Sequence, residues 1–271
     1  MKPMILASAL AILLVGAAGI ESRAEAIPQA KMPFPKDAVT IKEASVDVTG
    51  DTRPDRIVLA GRPRKDNNIY YEKLYLGVED PITNQIVSYD IEGGYSPSLE
   101  FVDVTGNKVP EIFISAETGG SGGIINYYLY TYRNKEIHPM PVPQGLDMSG
   151  ALEDGYQARI YVRDTNQYTT IDLADRAKLY SDLGIYRNNQ IVRPVSVMTS
   201  RSWQLLKPAD PEGDGVYVLW GIQAIKGVAN ADTIAVAGSE WIWEPAGAGT
   251  WRLSRSNVIK YEPRRANGSI K

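Results

Sequence analysis

The sequence predicts an all-β protein, mainly antiparallel, built from repeats of about 55 residues with one short helix. Three observations carry this reading. Short runs rich in Val, Ile, Tyr and Trp alternate with Gly, Pro, Asn and Asp clusters along most of the chain, the pattern of strands separated by turns. The nine residues Asp47 to Asp55 (DVTGDTRPD) return 56 residues later as Asp103 to Glu111 (DVTGNKVPE). Each copy follows a Val and opens into an apolar run, Ile57-Val58-Leu59 or Ile112-Phe113-Ile114. Strands at this density suit a sandwich, a barrel or a propeller.

Taken in order, residues 1–26 read as an export signal: Lys2, an apolar Met4 to Ala18, then Ala24-Glu25-Ala26 as the cleavage site. The apolar run is too short for a membrane span. No other apolar run follows, and no Cys invites lipid attachment, so a secreted or cell-surface protein is expected, with no membrane contact after cleavage. The 27–143 half holds strands at Ile57–Ala60, Tyr71–Val78, Ile86–Ile91, Ile112–Ala116 and Ile124–Arg133, and ends on the stiff Pro139-Met140-Pro141-Val142-Pro143 connector. The 144–262 half opens with the alternating Ala158–Arg163. A helix follows, with Asp172 as cap, Leu173, Ala177, Tyr180 and Leu183 on its apolar face, and Gly184 ending it. Strands resume at Val216–Ile225, Thr233–Ala237 and Ser239–Glu244, with Thr250–Ser254 returning as a hairpin. Residues 263–271 form a basic tail.

The chain has no Cys and one His. Disulfides therefore cannot brace an exported fold, and a bound cation that favours the folded state is the natural substitute. The recurrent loop has the composition for one. Calcium takes six to eight oxygens in irregular geometry. In a curled Asp47–Asp55 loop, Asp47, Thr49 and Asp51 converge at positions one, three and five, the Arg53 carbonyl fills position seven and Asp55 closes the shell. Gly50 permits the bend, and Val48 packs inward. The second loop offers Asp103, Thr105, Asn107, the Val109 carbonyl and Glu111. A third stretch, Asp210 to Val218, carries Asp210, Glu212 and Asp214 but has Val218 at position nine. With three acids the first loop ranks highest for Ca2+. Glu153-Asp154-Gly155 is the candidate remnant of a fourth unit. The competing reading is that Asp, Thr, Gly and Pro simply make good turns.

Asp-x-x-Gly-Asp-x-x-Pro-Asp before an apolar strand resembles the VCBS/FG-GAP repeats of exported proteins, including those of spore-forming bacteria. That resemblance rests on the first two loops, Ser115 to Gly123, Asp210 to Tyr217 and Asn230-Ala231-Asp232. It implies a β-propeller-like fold with calcium between blades. Thr49 and Thr52 depart from its usual third and sixth residues.

Catalytic signals are sparse. Thr118-Gly119-Gly120-Ser121-Gly122-Gly123 lacks the Lys-Ser/Thr and helix of a phosphate loop and reads as a bend between strands. His138 lies among prolines, and no Gly-x-Ser-x-Gly elbow accompanies it. Glu100, Glu117, Glu153 and Asp154 leave open a carboxylate-based glycan hydrolase. Tyr128, Tyr130 and Tyr132 share one strand face, and Trp241 and Trp243 share another with Trp251 opposite; core packing is the expected role. Six bases between Arg252 and Lys271 against Glu262 suggest a solvated tail, or a contact for an anionic wall polymer. Nothing points to nucleic acid. The function expected is a non-catalytic, calcium-stabilised scaffold or binding module at the cell or spore surface, meeting a wall polymer or a surface protein.

Overall fold

The computed structural model describes residues 31–245 and 249–262. The export signal and the 263–271 tail lie outside them. Sixteen strands and one α-helix follow in order: β1 Val39–Val46, β2 Asp55–Arg64, β3 Asn67–Asp80, β4 Gln85–Val102, β5 Glu111–Glu117, β6 Ile125–Arg133, β7 Glu136–Met140, β8 Met148–Glu153, β9 Gln157–Val162, β10 Gln167–Asp172, α1 Ala177–Asp182, β11 Tyr186–Arg187, β12 Gln190–Ile191, β13 Leu205–Ala209, β14 Val218–Lys226, β15 Thr233–Glu244 and β16 Thr250–Lys260. Every strand pairs antiparallel with its sequence neighbour, in open sheets of seven (β1 to β7), three (β8 to β10), two (β11 and β12) and four strands (β13 to β16). The mainly antiparallel β class therefore holds. The propeller-like arrangement does not form: among the described residues the sheets are meanders, with residues 195–198 bridging the β8 edge to Lys226 of β14, and neither a barrel nor a ring of blades closes.

The seven-stranded sheet turns on β4. Its first half pairs with β3 and its second half with β5, with the change at Tyr95 to Ser98. Gly93 and Gly94 precede this corner, and Ser96 takes φ +45°. A Cβ on Gly93 would stand 1.8 Å from the Tyr71 carbonyl oxygen, so only glycine lets the bent strand stay in contact with β3. Bending brings strands of one sheet face to face. Leu59, Leu74 and Ile91 from the first half share a fully buried cluster with Leu99, Ile112 and Ile114 from the second. Tyr89 meets Tyr130 across it, ring centroids 5.0 Å apart. The ammonium of Lys42 on β1 donates to the Leu99 carbonyl at 2.8 Å.

The opposite face of β5 and β6 belongs to the second core. Phe113 and Leu129 pack with Leu146, Ile160, Tyr180, Leu219 and Trp241. The two expected halves are thus joined through one sheet, whose alternating residues serve two cores. The tyrosine row divides as the period-2 pattern predicts. Tyr130 lies in the first core with Tyr128 and Tyr132 against it, while Tyr127 lies against the second. Trp243 and Trp251 pair across the last hairpin, edge to face at 5.3 Å.

Three details correct the sequence reading. The helix begins later than expected and Asp172 is not its cap: a 3-10 turn capped by Leu173 comes first, with the Ala174 N–H donating to Asp172 at 2.8 Å, and α1 follows with Arg176 at its N-cap. Leu183 is exposed rather than on the apolar face, which Leu173 and Tyr180 make. His138 lies in β7, not in an irregular connector. That strand is the sheet edge, where prolines forfeit no ladder bond on the open side. Glu153 pairs with Gln157 across a tight turn, so the fourth acidic unit lacks the loop of the others.

Replacing Gly93 with Ala is expected to destabilise the protein by at least about 3 kcal/mol, because the obstructing atoms are backbone. Gly120→Ala, whose nearest neighbour would be 3.8 Å away, should stay within about 0.5 kcal/mol. Urea unfolding of both variants checks this.

Candidate functional site

The three acidic stretches are one structure used three times. Val46 pairs with Asp55, Val102 with Glu111 and Ala209 with Val218. Each stretch is therefore an eight-residue hairpin connection with the same register. The backbone repeats too: φ is positive at position four (Gly50 +80°, Gly106 +74°, Gly213 +70°) and again at position six (Thr52 +74°, Lys108 +68°, Gly215 +87°). Only the third copy has Gly at position six. The other two hold a side chain in the left-handed region, at an energetic cost.

The position-one aspartate offsets that cost. Asp47 accepts from the N–H of Gly50 at 2.6 Å and of Thr52 at 2.7 Å. Asp103 does the same for Gly106 and Lys108, both at 2.7 Å, and Asp210 for Gly213 at 2.7 Å and Gly215 at 3.0 Å. Position five repeats as well: Asp51, Asn107 and Asp214 each accept from the N–H two residues on, at 2.7 to 2.9 Å. Val48 and Val104 at position two are buried as core anchors, each worth about 1.5–3 kcal/mol of apolar burial.

Position nine separates the copies. Asp55 is fully buried and its Oδ2 accepts from the N–H of Val48 at 2.8 Å and Thr49 at 3.0 Å. Its Oδ1 is buried with no hydrogen-bond partner. Desolvation raises the Asp55 pKa against those two N–H bonds, and the charges of Asp47 and Asp51 push it the same way. Glu111 is equally buried, but both its oxygens are engaged: Oε2 by the Val104 N–H at 2.9 Å and Oε1 by the Thr105 hydroxyl at 3.1 Å. Burial again raises its pKa. In the third copy Val218 offers no oxygen.

The hairpins also stack. A Cβ on Gly50 would stand 2.8 Å from Val109, and one on Gly106 would stand 3.6 Å from Val216. Position four of one loop thus abuts position seven of the next, twice over, while Gly213 faces open space. The Tyr217 N–H donates to the Asp103 carbonyl at 2.7 Å. This ladder joins the seven-stranded sheet to the four-stranded one. Beside it lies a cleft of about 400 Å³, lined by Thr49, Thr105, Asn107, Glu111, Tyr132 and Trp243 among others.

As a calcium site the first loop has the right donor chemistry. A carboxylate oxygen carries two lone pairs, so Asp47 retains acceptor capacity, Asp51 has an oxygen to spare, and Asp55 Oδ1 lacks any partner. Asp47, Thr49, Asp51, the Arg53 carbonyl and Asp55 would be the ligands. Among the described residues no three His, Asp or Glu side chains are gathered closely enough to hold a metal, so the carboxylates would have to turn inward. The second loop, with Asp103, Thr105, Asn107, Val109 and Glu111, is already internally satisfied. In the third, Asp210 is half-buried while Glu212 and Asp214 are exposed.

The other sequence candidates separate in space and role. Glu100 and Glu117 are exposed. Glu153 is half-buried, and exposed Asp154 accepts from the Ile191 N–H at 2.7 Å. The glycine stretch joins β5 to β6, with the Thr118 N–H on the Ile124 carbonyl at 3.0 Å. Of the basic cluster, Arg252 pairs with Glu244, Arg255 with Glu240 and Lys260 with Asp175. Asp232, from the Asn230-Ala231-Asp232 stretch, accepts from Arg176, Tyr180 and the Val228 N–H and so fastens α1 to the β14–β15 turn. Two residues escaped the sequence reading. Gln223 is wholly buried and clamps Leu146 through its N–H at 2.7 Å and its carbonyl at 3.2 Å. Trp220, 40% exposed, lies on the outer face of β14; period-2 alternation from buried Leu219 was the available signal.

The fold and site define an all-β protein of open antiparallel sheets headed by stacked acidic hairpins. Residues 146–259 match the family described as the YybI C-terminal domain. A Bacillus subtilis (strain 168) relative, named "Uncharacterized protein YybI", is 28% identical over 207 residues, 73% of this chain and 77% of the relative. No solved structure matches. These matches correct the VCBS/FG-GAP resemblance, since no such repeat is among the families found. The physical reason lies in the turns: the shared Asp-x-x-Gly pattern here closes antiparallel hairpins, and that hydrogen-bond requirement produces the motif without blades.

Asp47→Ala, which strips acceptors from two backbone donors, is expected to cost about 1–2 kcal/mol. The raised carboxyls predict a pH effect of definite sign. In metal-free buffer the folded state holds protons on Asp55 and Glu111 that the unfolded state has released. Stability should therefore rise as pH falls from neutral through their folded pKa values, with the gain complete below the unfolded ones. Asp55→Asn should remove its share, as read by urea unfolding at neutral and mildly acidic pH.

Proposed function

We propose that this chain is an exported, non-catalytic scaffold or binding module, braced by calcium in its first acidic hairpin, that acts at the cell or spore surface. The observation that carries the calcium reading is the unpartnered, fully buried Oδ1 of Asp55, flanked by the carboxylates of Asp47 and Asp51. A buried carboxylate oxygen without a donor is costly, and a divalent cation would convert that liability into a bond. A brace in this hairpin would lie beside the ladder that ties two sheets together. For a fold without cysteine, a brace of this kind replaces disulfides outside the cell. The module would present its clefts to a wall or spore-surface polymer or protein.

Thermal melts in calcium and in EGTA test this. Saturating calcium is expected to raise the melting temperature by about 5–10 °C. Asp55→Asn should abolish that gap while melting in EGTA within a few degrees of the unaltered protein. Coincident melts of the unaltered protein in the two buffers would exclude the calcium brace.

A further inference from the structure

The outer face of the four-stranded sheet carries a second cleft, of about 490 Å³, within the usual range of roughly 300–1,000 Å³ for small-molecule sites. A row of side chains crosses all four strands in register: Lys207 opposite Trp220, Trp220 opposite Glu240, and Glu240 opposite Arg255. Trp220 stands 40% exposed. In the adjoining row Gly238 pairs with Asn257. A Cβ on Gly238 would lie 2.7 Å from Asn257 Oδ1, so the glycine keeps the floor beside the indole low and lets the amide lie across it.

Glu240 makes this more than an exposed tryptophan. Although it projects from the outer face it is only 6% exposed. Arg255 places both Nε, at 2.9 Å, and Nη2 on the same oxygen, Oε2. The other oxygen, Oε1, accepts no hydrogen bond among the described residues, and Glu240 lines the cleft. Unlike Asp55 Oδ1, this oxygen is not sealed away from solvent, so it can take a donor from water or from a ligand. Glu240 and Arg255 neutralise each other, and Lys207, whose ammonium lies 5.8 Å from the Trp220 ring centroid, is offset by Glu212, which acts on Arg255, so the formal charges around the cleft sum to zero.

We propose that this cleft binds a neutral β-1,4-linked glycan chain, an inference that rests on the binding-module reading. A pyranose whose hydroxyls are all equatorial presents a flat C–H face, which stacks on Trp220. Its rim hydroxyls then donate to Glu240 Oε1 and accept from the guanidinium of Arg255 and the amide of Asn257. No charge on the ligand is needed, and no bond is made or broken.

Titration of the full chain with tetrasaccharides of β-1,4-linked glucose and of β-1,4-linked N-acetylglucosamine, followed by calorimetry, tests the proposal. Binding of at least one is expected in the millimolar range or tighter. Trp220→Ala should weaken it by roughly tenfold or more without moving the melting temperature beyond a few degrees. Glu240→Gln, which keeps the shape but weakens the acceptor, should also weaken it. No binding of either sugar, or binding unaltered by both substitutions, overturns the assignment. The calcium melts answer separately: Asp55→Asn, at a residue that does not line this cleft, should leave glycan affinity unchanged even where it abolishes the calcium response.

Discussion

Backbone N–H groups in a turn that reverses through two left-handed residues cannot satisfy one another, and the structure depends on how they are met. In all three acidic hairpins the answer is the same. One aspartate at the first position reaches across the loop and accepts from the N–H of the fourth and sixth residues, and a second side chain at position five accepts from the seventh. An eight-residue connection thereby becomes a fixed object rather than a flexible one. Because the object is fixed, the strands that leave it keep one register, and Val48 and Val104 enter their cores at equivalent places.

Rigid loops can also be stacked. The Gly50-to-Val109 contact needs a residue without a side chain facing one with a compact, branched side chain, the Gly106-to-Val216 contact is looser, and the repeat supplies both residue types in each case. The stack reaches from the corner-folded sheet to the four-stranded one and leaves Gly213 uncovered at its end. The unit therefore gathers acidic and hydroxyl side chains at one end of the sheets. The exposed face of β13 to β16, with Trp220, offers a surface of different chemistry.

Much of this was legible. Strand density and alternation place β2 to β6, β9 and β14 to β16 but miss β1, β7, β8 and β10 to β13, and the division of the tyrosine row between two faces follows from period 2 alone. Equivalence of the acidic loops is visible in spacing and in the recurrence of Asp, Gly and the second acid. What spacing could not reveal is that these loops close hairpins within open sheets. Antiparallel pairing of neighbours and the bend of β4 at Gly93 to Ser96 are decided by which surfaces meet, so repetition alone suggested blades where the chain builds meanders. The shortened helix has a similar origin. Leu173 and Tyr180 are buried, but a tighter 3-10 turn comes first, with Asp172 accepting from the Ala174 N–H, and Leu183 is left exposed.

The candidate clefts show the same division. Residue types and order determined the turn shape of the acidic loops, because the interactions that shape them span fewer than ten residues and depend on local donors and acceptors. The chain also determined that no disulfide could brace them. Only the tertiary structure decided that Asp55 is sealed with one oxygen unpartnered, and that Glu240 is buried although it projects outward. It likewise decided that Lys207, Trp220, Glu240 and Arg255 form one row across four strands. Burial and cross-strand register are properties of distant segments brought together, and no local pattern in the chain encodes them.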